Sequence, residues 1–430
     1  MRRAGTIATL AMIGIAAGAQ ADTSDVTWQN RVVVQKNGGH CADDPNCFNR
    51  YHPAIQPATR ARPGDFIVFE TRDALDTDLT LDIVFETRDA LDTDLTLDSN
   101  ADDVAALDLN LVHPMTGPVH IEGAERGDVL AVRLVDIEPD EFGYTIVVPG
   151  FGFLRDVFTE PVFVGWQLSR THATSDQMPG VRVPMAAFMG SVGVLPGDTE
   201  VKTWLERERQ LGEVGGVALP PQPIGALPAD VCGPEGSHKD QCLRTIPPRE
   251  NGGNMDVQQM QVGTTLLLPC FVDGCGLFVG DVHYAQGDGE VSGTAIEMGA
   301  VVTVRTEILE GGGSDITGPH FEGTDQLKAI APGKFYATVG FPLKASGEVP
   351  PYHTYLDGQR IGGLENLSED LTLAARYALL DMIDYIEREH GLTREQAYVL
   401  SSVAVDLVIG QVVDVPNYTV SAILDLEVFE

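Results

Sequence analysis

Short runs of β-branched and aromatic residues, cut off by turn residues before they reach helical length, constrain this chain most. Between Gln35 and Arg170 they include Phe66 to Phe69, Val129 to Val135 and Thr145 to Val148. Pro63-Gly64-Asp65 and Arg126-Gly127-Asp128 lead into the first two. Proline's fixed φ and glycine's freedom start turns at such places, and the runs then pair as strands. This predicts a β-sandwich or barrel over residues 22–170. Strands resume at Thr264 to Pro269, Leu277 to Val282 and Ala300 to Leu309, and the chain closes with a strand from Thr419 to Val428.

Helical periodicity comes late. Leu371, Ala375, Ala378, Met382 and Ile386 recur at three- and four-residue steps, Ser368 stands as N-cap and Gly391 as terminator. A second helix is expected from Arg394 to about Val405, and Asp102 or Asp103 as the cap of a short early one. The fold class is therefore mainly β, with an N-terminal sandwich over 22–170 and a mixed α+β part over 171–430. Residues 214–252, rich in Gly and Pro, read as a long surface excursion. Residues 67–82 are repeated without change at 83–98. Two identical copies do not make a solenoid, so one copy is expected in the fold and the other looped out.

Residues 1–21 have the form of an export signal. Arg2 and Arg3 precede an apolar run from Ile7 to Ala17 that is too short to span a bilayer, and Ala19-Gln20-Ala21 offers a small-x-small cleavage site. A periplasmic or secreted location follows. Six cysteines suit that compartment and fall into close pairs: Cys41 with Cys47, Cys232 with Cys242, and Cys270 with Cys275. Local disulfides are the simplest arrangement; a nucleophilic thiol at Cys270 or Cys275 is the rival. With 63 acidic against 28 basic residues and a net charge of −35, the chain lacks the basic footprint that nucleic acid or anionic lipid requires.

The stretch richest in chemistry is Gly280-Asp281-Val282-His283-Tyr284-Ala285-Gln286-Gly287-Asp288-Gly289-Glu290. Asp281 and His283 sit two apart on a strand, hence on one face, as half of a divalent-metal site. Gln286, Asp288 and Glu290 then present polar heads between glycines, and a carboxylate-dense loop also suits calcium. Glu297 closes the next strand. In Pro247 to Asp256, paired glycines precede Asn254 and Asp256, as where a backbone approaches a ligand closely. His120 reads as structural. No GxSxG, GxxxxGK[ST] or HExxH occurs, which disfavours a lipase-like hydrolase, a nucleotide-driven enzyme and a zincin.

These blocks resemble one known family. RENGGNMD (Arg249 to Asp256), GDVHYAQGDGE (Gly280 to Glu290) and GTAIE (Gly293 to Glu297) are similar, in this order, to the acetamidase/formamidase family. So are Val112 to Val132, Pro149 to Leu154, Arg394 to Tyr398 and Val412 to Asn417. The resemblance implies hydrolysis of small amides to ammonia and a carboxylate, a divalent metal (zinc or calcium) and a homo-oligomer. Carried onto matching positions, it implies Asp281, His283 and Asp256 as metal or water-activating residues. Asp288, Glu290 and Asn254 take catalytic roles, with Asn254, Gln286 and Glu122 near the amide. An exported binding protein that kept the fold and lost catalysis is the alternative.

Overall fold

The computed structural model describes residues 31–426 and Phe429, except 75–94, 153–158, 179–181, 214–216, 288, 291, 325–333, 351–360, 393–396 and 398–404. Two large, mostly antiparallel sheets organise it. In the nine-stranded sheet, Ala300–Leu309 lies between Phe66–Glu70 and Val129–Pro139, and the order continues through Thr265–Pro269, His320–Thr324, Lys334–Gly340 and Thr419–Asp425 to Val405–Gln411 at the edge. In the eleven-stranded sheet, Cys275–His283 is flanked by Phe188–Val194 and by Glu297–Met298, and it also pairs with Met115–Ile121. Alternating side chains from both sheets, among them Ile67, Leu130, Val302 and Leu266 from one and Val119, Val192, Leu277 and Val279 from the other, form one apolar core.

The expected sandwich is present, but strands from before and after residue 170 are interleaved in both sheets. Ala300–Leu309 pairs along its whole length with Val129–Pro139, with Leu309 opposite Val129 and Ala300 opposite Pro139. Turn punctuation locates strands but carries no information about distant partners, so it could not reveal this sharing.

The helix Leu371–His390 covers the outer part of the nine-stranded sheet. Its Ala378, Met382, Ile383 and Ile386 pack with Tyr336, Ala422 and Leu424. Asp370, not Ser368, is its N-cap, accepting from Leu373 N at 3.0 Å; Ser368 instead has a left-handed backbone, φ 58°. Leu371 and Ala375 are only partly buried, so the inward face starts at Leu373 and Ala374. Gly391 ends the helix in the left-handed conformation. Asn100 caps Ala101–Ala105, and Asp103 closes the capping box.

The segment 214–252 is not purely superficial. Arg244, Thr245, Arg249 and Asn251 within it are buried. In the nine-stranded sheet the first repeat copy supplies all of the strand Phe66–Glu70 but Phe66, and Leu95 of the second packs in an apolar cluster with Val104, Phe142 and Tyr144. The signal-like residues 1–21 and nearly all of the second expected helix lie outside the described residues, and Val405 already begins a strand. Among the described residues no helix is long and apolar enough to cross a membrane. All three disulfides join the expected close pairs, so neither Cys270 nor Cys275 presents a free thiolate.

Candidate functional site

The site lies at the C-terminal end of Cys275–His283. Period-two alternation puts Asp281 and His283 on one face, with Asp281 Oδ1 3.5 Å from His283 Nε2. The neighbouring strand places Glu297 opposite His283 and brings its Oε2 to 3.2 Å from the same nitrogen. Asp256 Oδ1, arriving from the paired-glycine loop, is 3.9 Å away. Glu290 and Asp414 complete the cluster. In each of the groups Asp256–Asp281–His283, His283–Glu290–Glu297 and Asp256–Glu290–Asp414, ligand atoms lie within 4.8 Å of one another, and all six residues are buried.

Supporting contacts fix these heads. His283 Nδ1 meets Gln286 Oε1 at 2.8 Å, while Gln286 Nε2 donates to the Asp256 carbonyl at 3.0 Å. Asn254 Nδ2 donates to Asp414 Oδ2 at 2.9 Å and to the Ile246 carbonyl at 3.1 Å. The Ser191 hydroxyl lies 3.0 Å from Asn254 Oδ1 and 3.3 Å from Asp281 Oδ2. Gly190 must be glycine for reasons of space: a Cβ there would lie 2.8 Å from His283 Nε2 and 2.9 Å from Asp281 Oδ2. Asp256, Asp281 and Glu290 hold positive φ values of 51°, 51° and 45°. Such conformations cost about 1–3 kcal/mol each and persist only where the surroundings over-determine them.

So many carboxyls around one imidazole distort its electrostatics. Burial, with Glu290 and Asp414 adding repulsion, holds Asp256 well above the ordinary carboxylate range. Burial raises Glu290 likewise, and pushes Glu297 and Asp414 up to about 7. For Asp281 burial also acts upward, but the imidazoles of His113 and His283 more than offset it and its carboxyl is held low. Burial in turn lowers the His113 pKa, with the Asp281 charge acting in the opposite direction. Burial disfavours the His283 cation, yet Glu297 and Asp281 hold its pKa well above the usual imidazole range.

The donor set fits a divalent cation. Neither carboxyl oxygen of Asp256 has a hydrogen-bond partner. Buried carboxyl oxygens are costly in that condition, and a cation ligated by oxygen and imidazole satisfies them.

The structure thus brings together Asp256, Asp281, His283, Glu290, Asn254 and Gln286. Asp288 lies outside the described residues. Glu122 lies apart from the group, paired with Arg62 at 3.2 Å on the surface, both side chains well exposed. It follows a strand end, and its sequence block alone did not show which way that end faces. Glu297, Asp414 and Ser191 were not selected from sequence. A signal existed for two of them: each is a lone acid in an apolar run, Ala295-Ile296-Glu297-Met298 and Val412-Val413-Asp414-Val415. Buried charge in such a run needs a partner.

The mostly β frame holds one imidazole among buried carboxyls, and its relatives mark it as that of a hydrolase acting on linear amides. The profile of the acetamidase/formamidase family matches residues 80–430, and the chain belongs to that family. It is 31% identical to an acetamidase of Mycolicibacterium smegmatis, over 82% of this chain and 84% of that one. It is 28% identical to a formamidase of Methylophilus methylotrophus, over 90% of each. Among solved structures, a gamma lactamase from Delftia acidovorans superposes with a TM-score of 0.61 at 30% identity, covering 93% of both chains.

Proposed function

We propose that this amidohydrolase cleaves small aliphatic amides of the formamide or acetamide type at the Asp256–Asp281–His283 cluster, with a divalent metal, zinc or calcium, held there. The observation that carries the reading is the convergence of buried carboxyls on His283, with both Asp256 oxygens left without a hydrogen-bond partner. Asp256, Asp281 and His283 would hold the cation, with Glu290, Glu297 and Asp414 around it. When bound, it supplies positive charge that polarises the carbonyl and acidifies water.

The chain's own groups do the rest. Gln286 fixes the His283 ring through Nδ1, so that Nε2 faces the carboxyls. Asn254 anchors Asp414 and, with Gln286, borders the space for the amide. Glu290 is placed to take a proton from attacking water and return it to the leaving nitrogen, so that the carbon–nitrogen bond breaks to ammonia and a carboxylic acid. Burial raises its affinity for a proton, the direction such a shuttle needs.

The reading extends to the setting of the enzyme. The signal-like N-terminus and the three disulfides support a periplasmic or secreted location. A homo-oligomer is supported by the edge strand Val405–Gln411, which exposes Leu407 and Ile409. The test is ammonia release from formamide, acetamide and propionamide before and after chelation. Release that is lost on chelation and restored by one added metal is expected. No release from any of the three, with metal still bound, would replace the amidase reading with that of a binding protein.

A further inference from the structure

His113 stands beside this cluster, yet the chemistry above gives it no task. The strand Met115–Ile121 pairs with Cys275–His283 so that Met115 lies opposite Gly280. His113 therefore leaves that strand alongside the segment carrying Asp281 and His283. Gly280 allows the close approach, since a Cβ there would lie 2.7 Å from the Pro114 carbonyl. His113 is near enough to Asp281 and His283 for their charges to act on it.

Its backbone is clamped. His113 N donates to Thr245 Oγ1 at 2.6 Å, and the same hydroxyl donates back to the His113 carbonyl at 3.3 Å. Thr245 precedes Ile246, whose carbonyl receives Asn254 Nδ2, so one segment ties His113 to the bordering amide group. The ring itself is not tied. Nδ1 is buried with no partner, while the residue keeps some accessible surface. An unpartnered acceptor is the cheaper loss, because a lone pair can go unused where a buried N–H cannot. That places the proton of the neutral ring on Nε2. His113 is also outside all three groups whose ligand atoms converge, so it flanks the cation position without belonging to it.

We propose that His113 is a substrate-binding residue that donates a hydrogen bond from Nε2 to the carbonyl oxygen of the amide. The inference rests on the amidase reading and adds to it the group that meets the oxygen on which charge develops as water adds. A neutral donor suits the task, because a protonated ring would leave a buried N–H at Nδ1 without a partner.

The test combines kinetics of the full-length protein with a spectroscopic readout. His113→Ala is expected to lower kcat/KM for acetamide by about 100-fold, mainly through kcat, with metal content and melting temperature unchanged. His113→Gln, whose amide can donate from a similar reach, should recover part of that loss. In parallel, the wild-type protein labelled with 15N-histidine is titrated with acetamide, and the His113 ring resonance should shift. A His113→Ala enzyme with more than half the wild-type kcat, one that has lost its metal, or a His113 resonance unmoved at saturating acetamide would each overturn the proposal. If the wild type released no ammonia, the amidase reading would fail by that result alone, and the titration would still decide whether His113 binds a carbonyl.

Discussion

Two buried charged regions lie close together in this molecule and obey opposite rules. In the first, two buried arginines each have an acid. Arg249 is bidentate to Glu208 at 2.7 and 3.1 Å, and Arg207 to Glu250 at 2.7 and 3.0 Å. These pairs tie the helix Asp198–Glu213 to the loop leading into the paired glycines. In the second, Asp256, Asp281, Glu290, Glu297 and Asp414 gather around His283. Arg207 brings Glu250 below the ordinary carboxylate range against the upward push of burial, whereas Asp256 and Glu290 stay well above it. Compensated charge builds the frame; uncompensated charge marks where a ligand is expected.

The comparison is broken most directly at Arg249. Arg249→Met leaves Glu208 buried and unpaired, and should cost about 3–5 kcal/mol in urea unfolding. Adding Glu208→Leu should recover most of that. An Arg249→Met protein as stable as the wild type would remove the distinction.

In the second region the expectation inverts. Glu297→Gln should lower amide turnover by about 10²–10³-fold while leaving the melting temperature equal or higher, because burial, the largest influence on this carboxyl, disfavours its charged form. Paired assays of ammonia release and thermal unfolding check both halves.

The pH dependence sharpens the contrast. Glu297 and Asp414, raised to about 7, bind protons in the folded chain that the unfolded chain has released above about pH 4.5. The native state holds more protons in that window, so metal-free protein should lose stability as pH rises from about 4.5 through 7. A divalent ion at 100 times its dissociation constant should add about 2.7 kcal/mol at pH 7.5 and flatten the slope. Melting curves with chelator and with zinc or calcium across this range measure it. The smallest effect belongs to Glu122→Ala. It breaks an exposed pair with Arg62, so stability should change by less than about 1 kcal/mol and turnover not at all.

How much of this the sequence carried depends on how local the determinant is. Asp281 and His283 were legible because a period of two fixes their common face without reference to anything else. Asn254 and Asp256 were legible through the glycines that precede them. Glu297 and Asp414 were not, since their place in the cluster depends on strand pairing and on a chain reversal held by Gln411, whose Oε1 accepts from Val413 N and Asp414 N at 2.8 Å each. The helix start was misplaced by two residues for a related reason. Ser368 and Asp370 both suit an N-cap, and Ser368 lost the role once its backbone turned left-handed. The sharing of both sheets across residue 170 was not legible either, because Ala300–Leu309 pairs with strands formed more than 150 residues earlier.

The repeat has one more consequence. The fold takes the opening of the first copy, through the strand and on to Asp73, which accepts from the Tyr144 hydroxyl at 2.7 Å, and the close of the second, from Leu95 onward. Because the copies are identical, removing any sixteen consecutive residues between 67 and 98 yields one and the same polypeptide. Chains with one copy and with two are thus related by a cut whose position leaves no trace in the polypeptide.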